Sequence, residues 1–231
     1  MLIHRADFVS GAAAARGVAI VIDVFRACSL QAYALAAGAS AIIPVEGVEE
    51  ARAIKAAHPD WLLAGERHAR PLPGFDCGNS PVELLALSPA GRTVIHTTHA
   101  GTQGLMAASR VASHVFTGAF VNASATVAAV LALDPAEVTL VAMGHEARER
   151  CAEDDLCRDW LFAALGARSP GPLDVAACLR SAPAAAKFFD PAADWAPEGD
   201  FALCTALDAV PFAVRLEDSL SGRPELRPFR V

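Results

Sequence analysis

Cationic side chains are scarce in this sequence and form no cluster. Its 19 lysines and arginines are outnumbered by 26 aspartates and glutamates, which gives a formal net charge of -7. Because nucleic-acid binding needs a concentrated cationic surface, this composition argues against a nucleic-acid partner. Lys55 and Lys187 are the only lysines, so the other cations are arginines, whose planar guanidinium groups suit carboxylate, phosphate or sulfonate ligands.

The sequence also lacks a long apolar run and a paired-cysteine motif. No apolar stretch approaches the roughly 20 residues needed to span a bilayer, so we expect no membrane partner. Charged residues interrupt the alanine-rich start, which we interpret as mature protein rather than a signal peptide. Six cysteines occur without a C-x-x-C pair, which argues against a zinc site and predicts reduced thiols in a cytoplasmic protein.

Short β-branched runs alternate with helix-prone segments along most of the chain. The clearest run, residues 18–22, is apolar throughout, as expected of a strand that is buried on both faces. This rhythm predicts an α/β fold, three-layer α/β/α, with a mainly parallel or mixed central sheet. We predict a single domain over residues 1–231. An arrangement of two closely packed lobes is the alternative. Residues 213–215 are expected to form an edge strand, and the apolar composition allows a homodimer.

Polar side chains follow several of the predicted strands. Asp23 ends the first buried run, Glu66 follows residues 61–64, and Asp76 lies in the next loop. Glu153 and Asp154 begin a predicted helix. Because the carboxyl ends of parallel strands share one edge of a sheet, we expect these carboxylates to meet there. Such a cluster is costly without a cation, and the all-oxygen ligand set favours Mg²⁺.

Other readings of these residues remain open. The acidic start of the helix at Glu153 also complements a helix dipole, without any metal. The histidines match no familiar zinc spacing and are interpreted as surface or strand-end residues; they are His96, His99 and His145. Cys28 lies near a helix start that would favour a thiolate, but the sequence has no Cys-x5-Arg loop, so thiol catalysis is disfavoured.

Taken in order, several segments resemble the ComB family, the 2-phosphosulfolactate phosphatases of coenzyme M biosynthesis. The matching segments are Val21-Ile22-Asp23-Val24-Phe25-Arg26-Ala27, Ala64-Gly65-Glu66-Arg67, Gly74-Phe75-Asp76-Cys77-Gly78-Asn79-Ser80-Pro81, Thr97-Thr98 with Gly101-Thr102, Gly118-Ala119-Phe120-Val121-Asn122-Ala123, and Ala152-Glu153-Asp154-Asp155. The resemblance implies an α/β fold and magnesium-dependent hydrolysis of a phosphate ester on a small sulfonated acid. This chain departs from the family at Cys28-Ser29, where the family is richer in hydroxyls. It departs again at residues 97–102, where it is one residue longer and carries His99 in place of an asparagine.

On these grounds we assign roles to individual residues. We predict Asp23, Arg26 and Glu66 to be catalytic. The expected substrate contacts are Ser29, Arg67, Asn79, Ser80, Thr97 and Thr98. The expected Mg²⁺ ligands are Asp23, Glu66, Asp76 and one or more of Glu153 and Asp154.

The predicted reaction converts 2-phosphosulfolactate to sulfolactate and inorganic phosphate, with water as the default nucleophile. Attack by Asp23 through an aspartyl-phosphate is an alternative. A phosphatase of another small phosphorylated hydroxy acid, and a non-catalytic protein that binds a small anion, are the competing hypotheses. The carboxylates argue against the last, because they repel an anion unless a metal intervenes.

Overall fold

The computed structural model describes residues 1–168, 170–219 and 222–231. The strands are β1 (Leu2–Asp7), β2 (Val18–Ile22), β3 (Ala41–Pro44), β4 (Leu62–Arg67), β5 (Arg70–Pro71), β6 (Thr93–Thr97), β7 (His114–Gly118), β8 (Glu137–Ala142), β9 (Ala213–Glu217) and β10 (Glu225–Phe229). The helices are α1 (Phe8–Ala13), α2 (Ala27–Ala36), α3 (Val48–Ala57), α4 (Pro81–Ala86), α5 (Gly101–Ser109), α6 (Ala123–Ala132), α7 (Ala152–Leu165), α8 (Val175–Leu179) and α9 (Glu198–Thr205). Short 3-10 helices cover Phe120–Asn122 and Pro183–Phe188.

The strands form one mixed sheet in the order β1-β8-β2-β7-β9-β10-β3-β6-β4-β5. One parallel group contains β1, β8, β2 and β7, and a second contains β3, β6 and β4. The sheet and its flanking helices confirm the predicted α/β class. The expectation of an edge strand at residues 213–215 was wrong, because β9 pairs with β7 on one side and β10 on the other.

The two parallel groups run in opposite directions. Three successive pairings, β7–β9, β9–β10 and β10–β3, are antiparallel, so the chain direction reverses an odd number of times between the groups. The carboxyl ends of the two groups therefore lie at opposite edges of the sheet. The sequence-based expectation that they share one edge was wrong. Instead, α5 follows β6 directly yet packs against β2 and β7, and this contact carries the end of β6 toward the end of β2.

Strand β2 lies inside the first parallel group, and its apolar sequence accounts for this position. All five of its residues are buried, and they alternate between two core clusters. Val18, Ile20 and Ile22 pack into one cluster, whereas Ala19 and Val21 pack into the other. This period of two is the signature of a strand with a packed layer on each face. The strand thereby places Asp23, the next residue, at a rigid position.

Across the described ranges, no helix has both the length and the apolar character needed to cross a bilayer.

Candidate active site

A cavity of about 300 Å³ receives four buried acidic side chains from both halves of the sheet. Asp23 follows β2, Glu66 belongs to β4, and Glu153 and Asp154 begin α7. Each residue is less than a tenth exposed, with values of 8%, 7%, 4% and 2% respectively. The sequence therefore correctly placed these four carboxylates together, although they reach the cavity from two oppositely directed groups of strands.

Asp23 is held in an environment that disfavours its charge. Burial, followed by the charges of Glu66 and Glu153, raises the pKa of Asp23 to about 6, although a hydrogen bond and Lys187 act in the opposite direction. The hydrogen bond comes from the backbone N–H of Ala27, 3.1 Å from Asp23 Oδ1. The other oxygen lies against Gly101, where a Cβ atom would stand 2.7 Å from Oδ2. A larger residue at Gly101 would therefore displace the carboxylate.

Asp154 ties the start of α7 to the ends of two strands. Its Oδ1 accepts a hydrogen bond from the backbone N–H of Val24, and its Oδ2 accepts one from Gly144, both at 2.8 Å. Burial and the charges of Asp23 and Glu153 raise the pKa of Asp154 well above its ordinary value. Among the described residues, Oε2 of Glu153 is buried without a hydrogen-bond partner. A buried oxygen without a partner beside other carboxylates is suited to a hard divalent cation.

Glu66 fastens two loops to the opposite side of the cavity. Its Oε1 accepts a hydrogen bond from the backbone N–H of His99 at 2.6 Å, and its Oε2 accepts one from Ala69 at 2.8 Å. The loops that follow β4 and β6 are thus joined through one buried carboxylate. Asn79 also lines the cavity, and its side-chain oxygen lies 3.2 Å from Nε2 of the buried His96.

Arg26 brings a buried positive charge to the same cavity. Its Nη1 donates to Asp200 Oδ2 at 2.6 Å and to the carbonyl oxygen of Trp195 at 3.0 Å. Asp200 is itself fully buried and accepts further hydrogen bonds at 2.9 Å from the Ser80 hydroxyl and the Val82 N–H. Helix α9, which carries Asp200, therefore fixes the orientation of the Arg26 side chain.

Lys187 adds a second cation that our sequence analysis missed. It lies in the 3-10 helix Pro183–Phe188 and lines the cavity. Burial and the charge of Arg26 lower the pKa of Lys187, while Glu153 and Asp23 oppose that shift. The hydrophobic pattern is weak in this part of the chain. The available signal was its rarity, because Lys187 is one of only two lysines.

Three further residues at the cavity come from loops that follow three different strands. His68 follows β4, His99 follows β6 and Glu146 follows β8. Nδ1 of His68 lies 2.5 Å from Oε1 of Glu146, and this hydrogen bond lowers the pKa of Glu146. Their separation along the chain gave no spacing motif, which is why sequence analysis did not group them.

The structure does not bring Asp76 to this cavity. Its Oδ2 lies 2.9 Å from Nζ of Lys55 and accepts a hydrogen bond from the backbone N–H of Leu63 at 2.8 Å. The expectation that Asp76 ligates the metal is therefore corrected: it joins its own loop to β4 and α3. Ser80, which we predicted to contact the substrate, instead caps α4. Its hydroxyl oxygen accepts a hydrogen bond from the backbone N–H of Glu83 at 3.1 Å.

The remaining predicted substrate contacts lie behind the cavity lining. Ser29 donates its hydroxyl to the carbonyl oxygen of Val24 at 2.9 Å. Arg67 donates to the Thr97 hydroxyl at 3.0 Å, so both side chains are engaged with each other. The Thr98 hydroxyl accepts from the backbone N–H of Thr102 at 3.0 Å. These residues support the loops around the cavity rather than line it.

The thiol of Cys28 is unsuited to nucleophilic attack, as the sequence indicated. It is buried and donates to the carbonyl oxygen of Val21 at 3.3 Å. Burial raises its pKa well above the ordinary range, so the reactive thiolate is disfavoured.

Comparison with known proteins identifies a family that matches most of this chain. Residues 3–190 match the family described as 2-phosphosulpholactate phosphatase. A probable 2-phosphosulfolactate phosphatase of Deinococcus radiodurans is 42% identical over 131 residues, which are 57% of this chain and 55% of that protein. One from Thermus thermophilus is 40% identical over 57% of this chain and 54% of its own length. Another, from Clostridium perfringens, is 34% identical over 71% of this chain and 67% of its own length.

The chain spans about half the length of the first two of these relatives, at 55% and 54%. The family match nevertheless covers most of the chain, including the four buried carboxylates and Lys187. The chain therefore belongs to the 2-phosphosulpholactate phosphatase family.

Proposed function

We propose that this protein is a Mg²⁺-dependent phosphatase that hydrolyses 2-phosphosulfolactate to sulfolactate and inorganic phosphate. The observation that carries the proposal is the presence of four buried carboxylates, the buried Arg26 and the half-buried Lys187 around one small cavity. The carboxylates suit a divalent ion, and the cations suit the anionic groups of a phosphorylated acid. The names of the relatives from Deinococcus and Thermus supply the substrate class.

Asp23, Glu66, Glu153 and Asp154 are the residues that would hold Mg²⁺. The unpartnered Oε2 of Glu153 and the raised pKa of Asp23 both fit a site that a cation completes. When bound there, Mg²⁺ supplies positive charge that neutralises phosphoryl oxygens.

Arg26 and Lys187 bind and orient the anionic groups of the substrate. Because Asp200 already holds Arg26, its guanidinium group needs little reorganisation when charge develops on the phosphoryl group. The cavity volume of about 300 Å³ is at the small end for ligand sites and fits a three-carbon acid with its substituents.

Asp23 is positioned to act as the general base toward water. In the metal-free protein burial raises the pKa of Asp23 to about 6; a bound Mg²⁺ would lower it, so that the carboxylate is ionised and able to accept a proton at neutral pH. Water forms a bond to phosphorus as the ester P–O bond breaks. Asp23 accepts the proton of the attacking water and later returns it to solvent, and the departing oxygen takes up a proton from solvent to become the hydroxyl of sulfolactate. In the alternative route, Asp23 itself attacks phosphorus, and water then cleaves the aspartyl-phosphate.

Phosphate release from 2-phosphosulfolactate, with Mg²⁺ and with EDTA, tests the reaction directly. Phospholactate and phosphoglycerate, which lack the sulfonate, test the substrate class. The Asp23→Asn variant should lose turnover, whereas Asp76→Asn, a matched carboxylate outside the cavity, should retain it. Trapping of the enzyme by beryllium fluoride bound to Asp23, as a mimic of the aspartyl-phosphate, would support the aspartyl-phosphate route. Ligand binding without turnover, and without any effect of chelator, would instead support an anion-binding protein.

A cytoplasmic location is part of the same proposal and is supported by six free cysteines in the structure. The homodimer stays a prediction, which the molar mass in solution would test.

A further inference from the structure

We propose that His68, His99 and Glu146 form a second metal site, on the solvent side of the cavity, for a borderline divalent cation such as Zn²⁺. It is distinct from the four carboxylates in its ligand chemistry and its residues. The proposal does not rest on the phosphatase reaction, because metal binding at this site is measurable without substrate.

The three side chains are already close enough to share one ion. Each offers one donor atom, and the three donors lie within 4.8 Å of one another. The rings of His68 and His99 are 5.0 Å apart between centroids, and His68 Nδ1 is 2.5 Å from Glu146 Oε1. A tetrahedral zinc ion with bonds of about 2.0–2.1 Å holds its ligand atoms roughly 3.4 Å apart. The His68 side chain is 71% exposed, so it is free to make the small movement required.

The side chain of His99 has a feature that the ion pair between His68 and Glu146 does not explain. Its Nδ1 is buried, and the structure shows no hydrogen-bond partner for it among the described residues. The backbone N–H of His99 donates to Glu66, which holds the main chain of His99 beside the cavity. A buried ring nitrogen without a partner is unusual, and a metal ion would provide one. The His68–Glu146 contact alone would leave this nitrogen unsatisfied.

Ligand type separates this group from the carboxylates across the cavity. Two neutral imidazoles and one carboxylate suit Zn²⁺ and similar first-row ions. Mg²⁺ prefers oxygen ligands and therefore favours the acidic residues. His68 and Glu146 also both adopt left-handed backbone conformations, with φ of 53° and 51°. Such conformations are uncommon for residues with a side chain and recur at functional sites.

Cobalt is the probe for the test, because its visible absorption distinguishes nitrogen-rich, low-coordinate sites from octahedral oxygen sites. The full chain is stripped with EDTA and dialysed, and it is then saturated with Mg²⁺ to fill the acidic site. Titration with Co²⁺ should give intense visible bands at one ion per chain, and Zn²⁺ should displace them. His68→Ala and His99→Ala should each weaken Co²⁺ binding at least about tenfold by calorimetry.

Two matched variants serve as controls. His114→Ala removes an exposed histidine at the start of β7, and Glu153→Gln removes a carboxylate from the acidic site. Both should retain the cobalt spectrum. Loss of the spectrum in Glu153→Gln, with no effect of His68→Ala or His99→Ala, would overturn the proposal and place cobalt among the carboxylates. Absence of the bands in the wild-type protein would also overturn it. Circular dichroism of each variant confirms that folding is intact.

Discussion

Replacing Asp23 by asparagine should stabilise the metal-free protein while it abolishes turnover. The substitution keeps the size of the side chain and an oxygen that can accept from the N–H of Ala27. It removes one negative charge from a buried group that also contains Glu66 and Glu153. Asp23 is therefore expected to lower the stability of the metal-free fold, although the proposed reaction requires it.

The expected gain follows from the pKa of Asp23. Folding raises it from an ordinary value of 3.8 to about 6, which corresponds to about 3 kcal/mol at neutral pH. The folded carboxyl group holds its proton more tightly than the unfolded one. The contribution of Asp23 to the free energy of unfolding is therefore fully present below pH 3.8 and is lost as the pH rises through 6. Asparagine carries no charge at any pH, so the loss does not occur in the variant.

Thermal unfolding in EDTA at a series of pH values measures this effect. At pH 7.5 the variant should unfold about 6–12 °C above the wild type, since about 1 kcal/mol shifts the Tm of a chain of this size by about 2–4 °C. The difference should shrink toward zero near pH 4. Asp60→Asn, at an exposed position, is the matched control and should change little at either pH.

The reasoning would be refuted if the Asp23 variant were less stable than the wild type at pH 7.5 in EDTA. It would also be refuted by a gain of the same size at pH 4 and pH 7.5, because a gain without pH dependence cannot come from ionisation of Asp23.

Three further substitutions separate positioning, binding and structural roles. Asp200→Asn should lower stability by about 3–5 kcal/mol in urea unfolding, because it leaves Arg26 buried without its partner; Glu198→Gln on the same helix should be neutral. Lys187→Gln should lower kcat/KM for 2-phosphosulfolactate by about 100-fold, judged by steady-state kinetics, if its charge stabilises the phosphoryl group. Asp76→Asn should cost about 1 kcal/mol through its half-exposed contact with Lys55, and unchanged Mg²⁺ affinity by calorimetry would confirm that it is no ligand.

The sequence was most informative where packing is most demanding. The apolar run of β2 predicted a strand buried on both faces, and the polar residue that follows it, Asp23, correctly indicated the cavity. Glu66, Glu153 and Asp154 were also placed correctly, because each begins or ends an element whose hydrophobic pattern is clear. These four positions depend on local element boundaries, which a single sequence can reveal.

The sequence failed where long-range pairing decides the outcome. The insertion of β9 and β10 between the parallel groups depends on partners far away in the chain, and so does the reversal of direction that it causes. Asp76 looked like a ligand because it follows Glu66 closely, yet its Lys55 partner lies on another element. Lys187 and Asp200 lie where the hydrophobic pattern is weak, so only the folded structure could connect them to Arg26 and the carboxylates.

The strand pair β9–β10 has a mechanical consequence for any ligand that occupies the cavity. One side of the cavity belongs to the β2 group and the other to the β4 group, and within the sheet these groups are joined through β9 and β10. A bound ligand that contacts both sides therefore provides a second connection between the two groups, in addition to β9 and β10. Occupancy and the opening of β9 and β10 are then thermodynamically linked. Slower amide hydrogen exchange in these strands should report binding at a site that none of their own residues line.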